Sequence, residues 1–217
     1  MAKKKNITQD KLISFYMDYV LMHSHTPKTV YAFAKDNNFE EADFYKKFAS
    51  FEALEKSIFK AFFENTLQML EKSEAYQHFD ARNKLLSFYF TFFENLTANR
   101  SYVVFALENK GLKSLSTLSE LRHAFKKYID TLNIETLDIK EPRIVKLQDY
   151  SKQESFWIQL MMIMKFWLDD TSPSFEKTDI FIEKSVHAGF DLIDIKPLKS
   201  VLDLGKFLFK EKMQQSL

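Results

Sequence analysis

The sequence predicts an all-α fold with an N-terminal helix-turn-helix domain, residues 1–50, and a larger helical-bundle domain, residues 51–217. Glycine and proline are scarce, with three and four in 217 residues, while phenylalanine occurs 23 times. Apolar residues recur at three-and-four spacing along most of the chain, which is typical of amphipathic helices, and no convincing strand pattern is present. Residues 28–54 then combine two short helical stretches, a polar break between them and a longer third helix, the pattern of a helix-turn-helix.

The first two helices follow from their ends and apolar faces. Periodicity predicts a first helix from about Thr8 to Ser24. Thr26 is expected to cap the second helix, with Pro27 at its first position, where the missing N–H has no intrahelical role. The residues predicted to bury one side of this second helix are Val30, Phe33 and Ala34.

An Asn-Asn dipeptide separates the two short helices. Asparagine tolerates the left-handed backbone that a tight turn requires, so residues 37–38 are predicted to end the second helix. Phe39 is expected to fill the turn, and Phe44, Tyr45 and Phe48 to form the apolar side of the next helix. Ser50 is predicted to cap a long fourth helix that continues to about residue 74.

The rest of the chain is predicted to be a bundle of aromatic-rich helices. Residues 81–96 are apolar nearly all round, which predicts a central buried helix. Residues 133–148 contain Pro142 and are expected to form a loop. Ser151 and Glu154 have capping-box spacing, which predicts that a helix begins there and continues to residue 168. The other predicted helices cover residues 102–107, 115–132, 173–191 and 197–212.

Composition limits the classes of function. Thirty-one basic against 30 acidic residues give a net charge of +1, so any nucleic-acid surface must be local. The absence of cysteine excludes disulfides and thiolate chemistry and fits a cytoplasmic location. No P-loop or dinucleotide fingerprint can be built from the three glycines. The N-terminal lysines precede no apolar run, which predicts no signal peptide, and residues 156–168 are too short to span a bilayer.

Neither an enzyme nor a metal site is predicted. Pairs of adjacent acids occur at residues 40–41 and 169–170, but adjacent side chains diverge on a helix and no nucleophile accompanies them. Among the five histidines, His23 and His25 are two positions apart, a spacing that turns them away from each other on a helix. We therefore expect no catalytic residue, no metal ligand and no cofactor.

Residues 10–54 resemble the N-terminal domain of TetR-family transcriptional regulators without a gap. The resemblance implies an all-α, TetR-like fold with a C-terminal ligand-binding domain. It also implies a homodimer joined through the last two long bundle helices. The matching residues are Thr29-Val30 at the second helix, Phe33-Ala34 within it, Phe39 in the turn, Phe44-Tyr45-x-x-Phe48 in the recognition helix and Ser50-x-Glu52-x-Leu54 at the fourth helix.

The exposed positions of this stretch depart from the family pattern. Glu40 replaces the family's cap serine, Ala42 a helix glycine, Asp43 a threonine, and Phe51 a lysine that contacts phosphate. Acidic residues at the start of the recognition helix repel the phosphates of DNA and so weaken binding to its backbone. An acid can nevertheless accept a hydrogen bond from the amino group of cytosine. By the resemblance, the residues expected to contact DNA are Lys3, Lys4, Lys5, Thr29, Tyr31, Glu41, Asp43, Tyr45, Lys46 and Lys47.

A second resemblance lies in residues 166–184. The run from Asp170 through Ser172-Pro173 to Thr178 resembles a signature of the TetR-fold lipid-binding auxiliary proteins of coenzyme Q biosynthesis. That resemblance implies lost DNA binding, isoprenoid lipid held in the C-terminal domain and a final amphipathic helix at membranes. Residues 196–217 have that basic amphipathic pattern, although such a helix can equally pack on its own domain.

Two hypotheses of function follow. In the first, the chain is a ligand-responsive transcriptional regulator with an atypically acidic recognition helix, in which DNA binding is weakened by Glu40, Glu41 and Asp43. In the second, it is a lipid- or isoprenoid-binding accessory protein that has lost DNA binding and acts at a membrane surface. Either would hold a small apolar ligand or lipid among aromatic and methionine side chains, and plain core packing explains the same residues. They are Phe88, Phe92, Trp157, Met161, Met164 and Trp167.

Overall fold

The computed structural model describes residues 7–108, 116–134 and 142–194. Within those ranges the chain forms ten α-helices and one 3₁₀ turn, without a strand, which confirms the predicted all-α class. The helices are α1 (Gln9–His23), α2 (Val30–Asp36), α3 (Glu41–Tyr45), α4 (Phe51–Glu71), α5 (Glu74–His78), α6 (Ala81–Ala98), α7 (Arg100–Glu108), α8 (Ser119–Thr131), α9 (Pro142–Asp169) and α10 (Glu176–Asp194).

The chain divides into two compact units. The first unit comprises Met1–Gln77 with Phe88–Phe125, and the second comprises His78–Ser87 with Lys126–Leu217. The first unit therefore contains the complete helix-turn-helix, α1 to α3, together with α4. The second contains α9 and α10. None of the described helices is long and apolar enough to cross a membrane.

Side-chain caps fix the ends of the first two helices. Thr8 Oγ1 accepts a hydrogen bond from the Lys11 amide at 3.2 Å, and Ser24 ends α1 in a left-handed conformation with φ 58°. The predicted start of α2 at Thr26 and Pro27 is wrong. Thr29 is the cap instead, with its Oγ1 accepting from the Ala32 amide at 3.1 Å, so the helix begins three residues later than expected.

The turn between the two short helices has the predicted form. Asn38 adopts φ 54°, and the amide of Phe39 donates to the carbonyl of Ala34 at 3.0 Å. Phe39 is buried. Ser50 caps α4 as expected, because its Oγ accepts from the amide of Ala53 at 3.2 Å.

Phe33 is the centre of the helix-turn-helix core. It is fully buried, and five aromatic rings surround it in edge-to-face geometry, which is a favourable arrangement for ring quadrupoles. The centroid distances are 6.4 Å to Tyr16, 6.2 Å to Tyr19, 5.6 Å to Phe39, 6.3 Å to Phe44 and 5.5 Å to Phe51. One side chain on α2 thus anchors α1, the turn, α3 and the start of α4.

The second unit corrects two sequence-based expectations. α9 begins at Pro142 and runs for 28 residues, so residues 142–148 are helical rather than a loop. Proline suits the first turn of a helix, where its missing N–H has no role. Ser151 and Glu154 consequently lie within α9 and not at its start. Glu154 forms an ion pair with Lys126 of α8 instead of capping a helix.

α9 and α10 pack against each other in the second unit. Phe166 and Phe181 stack with centroids 4.6 Å apart and planes 10° apart, and Phe156 meets Phe190 at 5.8 Å. Gly189 allows close approach here, since a Cβ at that position would lie 3.1 Å from Nε2 of Gln159. The predicted last helix, residues 197–212, lies outside the described residues.

Candidate DNA-reading face and apolar cores

The candidate DNA-reading face is formed by α2, the turn and α3. Thr29 and Tyr31 are exposed at the start of α2, and Tyr45 is exposed at the end of α3. Tyr45 leans edge-on against buried Phe44 with a centroid distance of 5.6 Å. The ammonium of Lys35 lies 5.5 Å from the ring centroid of Tyr31. The buried residues of the helix-turn-helix thus support an exposed face that carries the predicted contact residues.

Acidic groups occupy the leading end of α3. Glu40 is the N-cap residue of α3, and its side chain makes no capping hydrogen bond. Glu41 and Asp43 lie in the first turn and are half-buried. These carboxylates stabilise the helix through its dipole, but they place negative charge where a phosphate would otherwise meet free amides.

One of the two lysines that follow the acids forms an ion pair. Nζ of Lys46 lies 2.7 Å from Oδ1 of Asp43, three residues earlier. Lys47 is exposed beside it. The other predicted basic contacts, Lys3, Lys4 and Lys5, lie outside the described residues. The assignment of all these residues to DNA contact stays a prediction.

A buried polar link joins α1 to α4. The hydroxyl of Tyr16 donates to Oε1 of Glu55, and both side chains are buried. Burial and then the hydrogen bond and charge of Glu55 raise the pKa of the Tyr16 phenol far above its ordinary value, so it remains a donor. Burial also raises the pKa of Tyr102 on α7. Because 39 residues separate Tyr16 from Glu55, no short-range sequence signal indicates this link.

Phe88 and Phe92 belong to an aromatic cluster in the first unit. Both are fully buried on α6 and stack with centroids 5.4 Å apart and planes 14° apart. Phe88 also meets Phe63 of α4 at 5.4 Å and Phe125 of α8 at 5.7 Å. The expectation of a central buried helix is met by these residues, although Phe90 on the same helix is 39% exposed.

The other four predicted ligand residues all lie on α9 in the second unit. Trp157, Met164 and Trp167 are buried, and Met161 is half-buried. Trp167 contacts Phe175 of the following 3₁₀ turn, with ring centroids 6.0 Å apart. The six residues are therefore shared between the two units, two in the first and four in the second. Their role in ligand binding stays a prediction.

The run from Asp170 to Thr178 has a structural role. Oδ1 of Asp170 accepts from the amide and hydroxyl of Ser172, at 2.8 and 2.7 Å. Oδ2 accepts from the amide and hydroxyl of Thr178, at 3.0 and 2.7 Å. Desolvation would raise the pKa of this carboxyl, but the four hydrogen bonds outweigh it and lower the pKa to about 2.

The same turn contains strained backbone. Ser174 and Phe175 are consecutive and both left-handed, with φ 53° and 60°. Such conformations carry strain for residues with side chains, and the surrounding contacts must hold them. The Asp170 hydrogen bonds and the Trp167–Phe175 contact provide that support. A helix-joining role thus explains the Asp-x-Ser-Pro spacing without any ligand.

The prediction that His23 and His25 face away from each other is wrong. His23 is the last residue of α1, and the left-handed Ser24 reverses the chain, so the rings of His23 and His25 lie 5.9 Å apart rather than facing away. Across the described part of the chain, no group of three or more His, Cys, Asp or Glu side chains could hold a metal ion.

The helix-turn-helix is a motif of DNA-binding proteins, in which the second helix of the motif lies in the major groove. A family model described as tetracyclin repressor-like, C-terminal domain, matches residues 84–208, more than half of the chain. The chain belongs to the TetR family. No curated protein matches it.

Proposed function

We propose that this TetR-family protein is a ligand-responsive transcriptional regulator whose recognition helix has weakened contact with the DNA backbone. The intact packing of α2 and α3 around Phe33 carries this proposal, because it preserves the exposed face that a helix-turn-helix presents to the major groove. A small apolar ligand in the C-terminal region would favour one of two domain arrangements. In a dimer, that shift changes the spacing between the two recognition helices.

A dimer is needed for this mechanism, and α9 and α10 offer a surface for it. Ile158 and Met162 lie one turn apart on α9, and each is 56% exposed. Ile180 on α10 is 51% exposed. Lys165, Lys177 and Lys184 are exposed on the same two helices. Exposed apolar side chains on these two helices, accompanied by exposed charged ones, favour association with a second copy of this chain.

Low-salt DNA binding tests the regulator proposal. The DNA upstream of the gene is the natural probe, with scrambled DNA of equal length and composition as control. A regulator is expected to prefer the upstream fragment and to lose affinity as salt rises, because phosphate contacts release counterions. Equal, salt-insensitive or undetectable binding to both fragments at low ionic strength would count against it.

The second candidate function is a lipid-binding accessory protein that has lost DNA binding. The acidic start of α3 and the pairing of Lys46 with Asp43 favour it, because both reduce the positive charge available to phosphates. Residues 196–217, outside the described ranges, would supply the membrane contact. Flotation with anionic liposomes, with and without these residues, tests that contact: equal flotation of both forms would exclude it.

Tryptophan fluorescence tests the apolar ligand that both functions require. The chain has only two tryptophans, Trp157 and Trp167, and both lie on α9. Native mass spectrometry of the purified protein would identify a co-purified lipid. Its removal and re-addition should then change tryptophan emission, and W157F and W167F would assign the change to one ring. Emission that stays constant while lipid binds would place the ligand away from α9.

A further inference from the structure

The end of α1 brings two imidazole rings together. Residues two apart on a continuous helix point about 200° apart around its axis. Here α1 ends at His23, and Ser24 adopts φ 58° with its amide donating to the carbonyl of Val20 at 2.8 Å. The chain therefore turns back, and the rings of His23 and His25 lie with centroids 5.9 Å apart and planes 36° apart.

One tyrosine supports both rings. The ring of Tyr19 lies 4.3 Å from that of His23 and 5.8 Å from that of His25, measured between centroids. Tyr19 in turn packs edge-on against Phe33, the buried centre of the helix-turn-helix. The two exposed imidazoles thus rest on a side chain that is itself fixed by the core.

A hydrogen bond fixes the tautomer of His25. Its Nδ1 lies 2.8 Å from the carbonyl oxygen of Thr26. A carbonyl oxygen can only accept, so Nδ1 carries the proton when the ring is neutral, and Nε2 keeps its lone pair. Metal-binding histidines usually donate their other ring N–H to a carbonyl or carboxylate in this way, which orients the ring and raises its basicity.

The separation of the rings suits a shared ion. Ring nitrogens bind Zn²⁺ at about 2.0–2.1 Å, which places the centroids of two rings on one ion roughly 4.5–6 Å apart. The observed 5.9 Å is within that span, and both side chains are exposed. We propose that His23 and His25 form a two-imidazole site for a divalent first-row transition-metal ion such as Ni²⁺ or Zn²⁺.

The proposed site has open coordination positions. Since no third His, Cys, Asp or Glu joins the pair among the described residues, water completes the coordination of the ion. The ion ties the last residue of α1 to the segment that leads into α2. It therefore stiffens the junction between the first two helices of the helix-turn-helix and stabilises the native state by mass action.

Titration of the untagged full chain with Ni²⁺ and Zn²⁺ tests the site. Calorimetry should detect one ion per chain, with a rise in thermal unfolding temperature at saturation. H23A and H25A should each weaken binding by about tenfold or more, because one imidazole cannot chelate. Mg²⁺, which prefers oxygen ligands, should neither bind nor stabilise.

H78A and H123A are matched controls, since His78 and His123 are also exposed. They should bind as the unaltered chain does. Circular dichroism of each variant establishes that it is folded. The proposal is overturned if the unaltered chain binds no ion in this stoichiometry, if H23A and H25A bind as tightly as it does, or if H78A and H123A lose as much affinity as they do.

Discussion

The ammonium of Lys46 lies 2.7 Å from Oδ1 of Asp43, so a carboxylate of α3 neutralises the lysine that follows the same helix. In the proposed regulator, this contact competes with a phosphate for the same cation. Asp43 also occupies the first turn of α3, where its charge favours the helix. The pair thus stabilises the recognition helix and weakens its proposed contact with the DNA backbone.

Asp43→Asn should therefore strengthen binding to DNA. Releasing Lys46 to contact one more phosphate is expected to steepen the slope of log affinity against log salt by about 0.9, with the largest gain at low salt. Fluorescence anisotropy over a salt series measures both quantities. Glu64→Gln is the matched control, because Glu64 forms a similar surface pair with Lys60 at 3.6 Å on α4. Equal slopes for the unaltered chain and Asp43→Asn would contradict a phosphate role for Lys46.

The helix-turn-helix could be predicted closely because its signals are local. Each signal involves residues that are close in the sequence. Asn38 forms a left-handed turn, Phe39 buries its ring in that turn, and Ser50 caps the helix that follows it. The predicted start of α2 is wrong because Thr26-Pro27 and Thr29 both suit a helix start, and the structure uses Thr29 as the cap. Sequence spacing cannot decide between two adequate caps.

The errors elsewhere arise from contacts between distant parts of the chain. Glu154 has capping-box spacing from Ser151, yet it pairs with Lys126, 28 residues earlier, inside a helix that begins at Pro142. The serine and threonine that follow Asp170 are a local sequence signal for its four hydrogen bonds. The Tyr16–Glu55 link has no such signal, since only the packing of α1 on α4 creates it.

Tyr16→Phe should destabilise the native protein by about 1–3 kcal/mol, the usual loss when a buried charged acceptor loses a donor. The ring and its packing on Phe33 and Phe51 are retained, so the change isolates the hydrogen bond. Urea unfolding measures the difference. Tyr31→Phe removes an exposed hydroxyl and should change stability by less than about 0.5 kcal/mol. If the two variants are equally stable, the Glu55 contact contributes nothing.

Asp170 should make stability depend on acid pH. Its pKa is lowered from 3.8 to about 2 in the folded protein, because the hydrogen bonds from Ser172 and Thr178 outweigh desolvation. The unfolded chain therefore binds the proton first as pH falls. The stabilisation is fully present above the ordinary value and is lost as pH falls towards 2.

Asp170→Ala should accordingly be less stable than the unaltered chain by about 1–3 kcal/mol at neutral pH. The difference should shrink between pH values of about 4 and 2, as measured by urea unfolding at each pH. Asp169→Ala is the control. Asp169 is exposed and pairs with Lys165 at 2.9 Å, a surface contact worth under about 1 kcal/mol. A difference for Asp170→Ala that stays constant across this pH range would contradict the assigned pKa.

The α9–α10 surface gives the last prediction. Replacing Ile158 and Met162 together by glutamate should convert the proposed dimer to a monomer. In a two-fold interface each substitution occurs twice, so four carboxylates would face one another in place of apolar contacts. We expect the dimer dissociation constant to rise by at least about 100-fold, which corresponds to about 2.7 kcal/mol.

Light scattering coupled to size exclusion, at matched protein concentrations, measures the change in mass. Both side chains are already more than half exposed, so the substitutions should leave the helical circular dichroism unaltered. Met69→Glu is the control, because Met69 is a similarly exposed methionine on α4 in the first unit. It should keep the mass of the unaltered chain. A double variant that retains the dimer mass would show that the chain associates through a different surface, and a monomeric unaltered chain would remove the dimer from the proposed mechanism.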